Sequence, residues 1–248
     1  MIDGLLAAIG FLTRIPVPSR VFAVEGVQAR SLAWYPLVGA LLGAALCALA
    51  WAVQDWPPML AAATVLVAWV AVTGALHLDG LADSADAWVG GLGGGNHEEI
   101  RQRTLAIMKD PRSGPIGVVA LVLLLLLKFA ALASLSALPW WILLLAPVLA
   151  RAALVAAFLC TPYVRSNGLG SGLVSASRVA CTIALLATLA LCVVAGTSGV
   201  VAVAVTVVVF WLWRRACLRR LGGITGDTCG ALTELVEVAV LVTIAAAG

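Results

Sequence analysis

The feature that most constrains this chain is a series of apolar runs, each about as long as a bilayer is thick. They cover residues 32–54, 59–76, 115–138, 140–160, 179–196, 199–213 and 228–247. A helix needs about 17–25 apolar residues to cross the hydrocarbon. Six runs meet that length, and 199–213 meets it when extended through Cys217. Of the 248 residues, 63% are hydrophobic and 11% charged. Soluble domains carry about a quarter charged residues, so this chain lacks the means to build a polar surface. The pattern predicts an all-α, polytopic integral membrane bundle of about seven transmembrane helices, forming one domain over residues 1–248 with a hydrophilic insertion at 77–114.

Residues 1–16 are too short and interrupted to span, and are expected to lie in the interface as a short helix. Asp3 precedes the first apolar residues and no basic residue comes before Arg14, a polarity that argues against a cleaved signal peptide. The six cysteines form no CxxC pair and no Cys/His metal spacing, so they read as small hydrophobes. No basic tract has the form of a nucleic-acid patch. The one dense run, Arg214, Arg215, Arg219 and Arg220, follows an apolar segment and ends in Gly-Gly.

Basic residues fall in alternate loops. Arg14, Arg20 and Arg30 precede the first run, and Arg101, Arg103, Lys109 and Arg112 follow the second. Arg165 and Arg178 follow the fourth, and the four-arginine cluster follows the sixth. The intervening loops have none. The positive-inside rule then places the N-terminus and the 77–114 insertion in the cytoplasm and the C-terminus outside.

The acids are gathered where the apolar runs end. HLDGLADSADA, from His77 to Ala87, holds Asp79, Asp83 and Asp86 at i, i+4 and i+7, which share one face if the second run continues as a helix. Three like charges on one face repel, and hard oxygen donors suit Mg²⁺, Mn²⁺ or Ca²⁺. The plainer reading is a solvated acidic helix end. A second group stands in GGITGDTCGALTELVE: Asp227, Glu234 and Glu237. Glu234 and Glu237 lie inside a span, where a carboxylate is costly and commonly functional. They read either as part of a shared ion site, or with one of them as the partner of Arg151. Lys128, deeper in its run, reads equally as paired, snorkelling or functional. Arg14, Lys109, Arg112, Arg151 and Arg165 lie toward the same face. Singly, the loop cations read as lipid anchors; around a carboxylate–metal centre they describe a diphosphate site. The Gly90–Gly95 stretch lacks GK[ST] and is not a P-loop. Asn96 is placed to cap a helix over 97–109, with acids in its first turn. Gly39 and Gly43 permit close helix approach, expected within one subunit, while a homo-oligomer stays open.

With these residues in view, the chain resembles the cobalamin synthase family, the adenosylcobinamide-GDP ribazoletransferases. FLTRIPVP, WYPLVGALLG, HLDGLADSADA, MKDPRSGPIGVVAL, RSNGLG and GGITGDTCGALTELVE carry the resemblance in family order over nearly the whole chain. Pro111 stands where the family pattern has Ser, and Ala87 where it has Gly. The resemblance implies a multi-pass enzyme of the cell inner membrane, dependent on Mg²⁺ and acting at the cytoplasmic face. It implies joining of adenosylcobinamide-GDP to α-ribazole or its 5′-phosphate, with release of GMP. By motif match Asp79, Asp83 and Asp86 would hold metal, Asp227 and Glu234 would join them or act on the nucleophile, and Arg14, Lys109 and Arg112 would face phosphates. Two other readings stand beside it. A CDP-alcohol phosphotransferase has a DGxxA core, which Asp79-Gly80-Leu81-Ala82 approaches, but Asp83 follows Ala82 and the later GxxxDxxxD is missing here. A cation transporter would use the intramembrane acids.

Overall fold

The computed structural model describes residues 2–247 except 111, 136–139, 166, 167 and 169, and leaves out the side chain of Trp140. Pro111 and the middle of the RSNGLG motif therefore lie outside the described residues. The described chain is a helical bundle: α1 (Ile2–Leu12), α2 (Val27–Ser31), α3 (Tyr35–Ala52), α4 (Pro58–Thr73), α5 (Leu76–Gly90), α6 (His97–Ile107), α7 (Pro115–Ser134), α8 (Leu145–Cys160), α9 (Arg178–Val194), α10 (Gly196–Leu221) and α11 (Gly226–Ala247). Over the described residues, every predicted apolar run is mainly helical. Five helical segments are long and apolar enough to cross a membrane: Val27–Ala52, Pro115–Ser134, Trp141–Cys160, Gly196–Leu221 and Gly226–Ala247. The α4–α5 pair makes a sixth if its two bent halves count as one span, and α9 is a shorter apolar helix of 17 residues.

Helix α11 sits at the centre, packed against α5, α7, α8 and α10. Its buried residues lie all around its circumference, including Ala231, Leu232, Val236, Val240 and Leu241, as a core helix requires. Around it, α7, α9 and α10 turn Leu and Val side chains outward, among them Leu123, Leu126, Val207 and Val208. This inside-out apolarity is stable only against lipid. The α3–α8 contact is backbone-close. A Cβ on Gly39 would lie 2.5 Å from the Pro147 carbonyl oxygen, and one on Gly43 would lie 2.8 Å from Leu144 Cα. The small-residue pair thus packs within one subunit, as expected.

Two features depart from the sequence reading. The second run does not continue through the aspartates. Gly74 caps α4 in the left-handed conformation (φ 62°), Ala75 follows at φ 57°, and α5 leaves at 86° to α4. Glycine adopts that conformation freely; for alanine it is strained, and the turn holds because the Gly74 and Ala75 amides donate to the last carbonyls of α4. The four-arginine cluster is not a loop either. Helix α10 runs on through Leu221, so its arginines occupy the last turns, where the helix dipole favours cations. Arg214 donates to the Cys160 carbonyl, and Arg220 donates to the Trp88 carbonyl and Thr104 Oγ1. The predicted cap at Asn96 is present. Its side chain accepts from the Glu99 amide and Glu99 reaches back, opening α6 with a reciprocal pair.

Candidate active site

The site is built on the crossing of α5 and α11. Gly80 and Gly230 meet there: a Cβ on Gly80 would lie 2.7 Å from the Asp227 carbonyl oxygen, and one on Gly230 would lie 3.2 Å from the His77 carbonyl oxygen. This contact sets the first turn of α11 beside the middle of α5. Asp79 is exposed, while Asp83 and Asp227 are half-buried. Asp83 lies in the electrostatic field of Asp79, Asp227, Arg165 and Asp86, and Asp227 in that of Asp79 and Arg165. Three carboxylates from two helices therefore share one region.

Asp227 is fixed from two sides. Thr225 and Thr228 cap α11 reciprocally, the Thr225 amide donating to Thr228 Oγ1 at 2.8 Å and the Thr228 amide to Thr225 Oγ1 at 3.2 Å. This places Asp227 in the first helical turn, where the dipole favours an anion. The stretch before α11 also pairs with the segment after α8. Val164 donates to the Ile224 carbonyl at 2.9 Å and Ile224 to the Pro162 carbonyl at 2.8 Å. That short bridge delivers Arg165, whose Nη1 is 2.8 Å from Asp227 Oδ2. Arg165 retains Nε and Nη2 buried and without a hydrogen-bond partner among the described residues. Buried guanidinium donors are costly to leave unpaired, and their planar fork matches a phosphate.

Asp86, expected as a metal ligand, has a different set of partners. Its carboxylate accepts from the Gly114 amide at 2.7 Å and the Gly117 amide at 2.9 Å, capping α7 from α5. A Cβ on Gly114 or Gly117 would fall 2.4 or 2.5 Å from these oxygens, which explains both glycines. Glu234, also expected at the metal, pairs with Lys128 Nζ at 2.7 Å. The same ammonium lies 2.6 Å from Glu237 Oε2, Glu237 pairs with Arg151, and Lys128 stands 4.8 Å over the Trp69 ring. All four charged residues are buried, and their formal charges sum to zero. Of the readings offered for this group, the one pairing a glutamate with Arg151 matches the structure, with Lys128 as a further partner. Arg151, expected to bind substrate, is fully enclosed in that network. Buried His77, two residues before Asp79, borders it through the fields of Arg151, Glu237 and Lys128. Its signal in the sequence was only its place at the head of the acidic stretch.

The remaining cations lie nearer the surface. The Arg14 amide donates to the Val72 carbonyl at 2.7 Å, and its side chain covers Gly74 at the α4–α5 bend. Lys109 is exposed in the turn after α6. Exposed Arg112 grips Asp110 with Nε at 2.9 Å and Nη2 at 2.7 Å, holding that carboxyl down to about 2. Among the described residues, none of the three forms a hydrogen bond or ion pair with Asp79, Asp83 or Asp227. The donor chemistry of those aspartates fits a hard divalent cation. Among the described residues, however, no three His, Cys, Asp or Glu side chains are gathered as a ready metal site.

Comparison with known proteins is consistent across the chain. The Cobalamin-5-phosphate synthase family model matches residues 4–245. The chain is 53% identical to the adenosylcobinamide-GDP ribazoletransferase of Stutzerimonas stutzeri, over 97% of each protein. It is 51% identical to that of Pseudomonas paraeruginosa, over 98% of each. With the protein of the same name from Pseudomonas syringae pv. syringae it shares 53% identity, over 96% of this chain and 97% of the relative. No solved structure matches it. A family match from the first helix to the last, with relatives about half identical over nearly their whole length, establishes that this chain belongs to the Cobalamin-5-phosphate synthase family.

Proposed function

We propose that the protein joins adenosylcobinamide-GDP to α-ribazole, or to its 5′-phosphate, and releases GMP. The family match names the substrates. The observation that carries the chemistry is Arg165, anchored on Asp227 beside Asp79 and Asp83, with two buried donors left over for a phosphate. Asp79, Asp83 and Asp227 are the residues that would hold Mg²⁺. Bound there, the ion supplies charge stabilisation on the diphosphate.

The protein's own residues account for the rest. Arg165 orients the diphosphate by its free Nε and Nη2. The ribose hydroxyl of α-ribazole attacks the phosphorus attached to cobinamide; a new O–P bond forms and the bridging P–O bond to GMP breaks. A carboxylate of this group takes the hydroxyl proton. Arg14, Lys109 and Arg112, at the rim, meet the outer phosphate. The positive-inside rule, applied to the basic ends of the helices, supports an active face on the cytoplasmic side of the cell inner membrane, with substrates arriving from that side.

Purified protein in lipid nanodiscs, given Mg²⁺ and both substrates, is expected to form the joined corrinoid and GMP in equal amounts, read by mass spectrometry. Release of CMP from a CDP-alcohol, with no GMP from the corrinoid substrate, would replace this reading with phospholipid synthesis.

A further inference from the structure

A groove of about 830 Å³ runs along the flank of the bundle, between the α2–α3 segment and α9, with Val148 of α8 at its floor. Small residues open it between larger ones: Ala29, Ala33 and Ala40 on one side, Ala180, Ala184 and Ala187 on the other. Beside it, Val179, Leu186 and Val193 of α9 point outward, so the groove faces the region that lipid occupies.

Its polarity is one-ended. Arg30, Ser175 and Ser177 lie at one end. The Arg30 side chain forms no ion pair among the described residues. Ser177 caps α9 by accepting from the Ala180 amide at 3.3 Å, so the positive end of that helix dipole faces the same place. Deeper in, the hydroxyl of Thr188 is already spent on the Ala184 carbonyl at 2.9 Å. From Ala180 to Leu191 the trough is about 16 Å long at 1.5 Å per residue, half of a hydrocarbon core of about 30 Å. That is the depth of one leaflet.

We propose that this groove binds one anionic phospholipid of the leaflet on the protein's basic side. The phosphate lies at Arg30 and the start of α9, and an acyl chain fills the trough. The chain gains little by leaving other lipid tails for the groove, so it supplies fit, and the headgroup supplies preference. One cation near an anionic headgroup favours it by about fivefold.

The test is native mass spectrometry of the delipidated full-length protein, titrated with phosphatidylglycerol or phosphatidylcholine. One phosphatidylglycerol should be retained about fivefold more strongly. Arg30→Gln, at an exposed site, should abolish the preference, and Ala187→Phe should lower retention of both lipids. Equal retention of the two by the unaltered protein, or an unchanged preference in Arg30→Gln, overturns the proposal. So does displacement of the lipid by millimolar inorganic phosphate, which would mark a free-phosphate site. A dimer lost in Ala187→Phe would assign the groove to a second copy instead. No arm depends on catalytic turnover, so the result is independent of the reaction proposed above.

Discussion

Gly80 of α5 and Gly230 of α11 touch backbone to backbone: a Cβ built on Gly230 would sit 3.3 Å from the Gly80 Cα. The crossing is what holds Asp79 and Asp83 beside Asp227. The two glycines are not equally demanding. At Gly80 the obstacle is the Asp227 carbonyl at 2.7 Å, whereas at Gly230 the nearest atom is at 3.2 Å. Gly80→Ala is therefore expected to cost about 1–3 kcal/mol of stability and to reduce turnover by moving Asp227. Gly230→Ala should do less of both. Thermal unfolding in detergent and GMP release check the order; a milder Gly80→Ala would show that the helices approach differently.

Asp83 and Asp86 share one helix but have different surroundings, and their asparagine variants should separate. Asp83→Asn removes a proposed metal ligand and should lower turnover at least ~100-fold in a folded protein, with a raised Mg²⁺ requirement. Asp86→Asn leaves one amide of the α7 cap without an acceptor, at about 1–3 kcal/mol, and should leave the Mg²⁺ requirement unchanged. Mg²⁺ titrations of activity and unfolding temperatures provide the readouts. A shifted Mg²⁺ requirement in Asp86→Asn would return that residue to the metal.

Lys128 neutralises two glutamates inside the bundle. Lys128→Met should cost about 3–5 kcal/mol, because it leaves buried carboxylates without their cation. Adding Glu234→Gln should recover part of that loss, since Arg151 still pairs Glu237. Size-exclusion chromatography after a heating series measures both. A double variant no more stable than Lys128→Met would mean that the two charges are not coupled.

Orientation is open to direct labelling. In a cysteine-depleted protein, Gly94→Cys sits where an added side chain meets nothing within 4 Å, and Asp55→Cys lies exposed in the opposite loop. A membrane-impermeant maleimide applied to intact cells should modify Asp55→Cys and spare Gly94→Cys. The reverse pattern would place the aspartates outside the cell.

Much of the architecture was legible in the chain. The apolar runs became helices because nothing else satisfies a backbone in lipid. The cap at Asn96 and the close packing at Gly39 and Gly43 are local chemistry that a short window reveals. The site was legible by composition rather than by pairing. Asp79, Asp83 and Asp227 were found because acids beside apolar runs are conspicuous, and Arg165 because it stands in a matched motif. What escaped was long-range. Asp86 meets amides 28 and 31 residues away, a link no pattern encodes. Lys128 and Arg151 were both available to the buried glutamates, and spacing alone did not divide them. The bend at Gly74 was hidden because Ala75, which shares it, ordinarily favours helix.

That bend sets how far the candidate carboxylates stand from the end of α4. Twelve residues separate Gly74 from Asp86. Continued straight, they would lift the last aspartate about 18 Å above the end of α4. Turned through 86°, nearly all of that length becomes sideways reach, and the carboxylates stay level with the first turn of α11. Under the function proposed above, a corrinoid too bulky to enter a helical bundle would meet these carboxylates on a ledge rather than down a shaft.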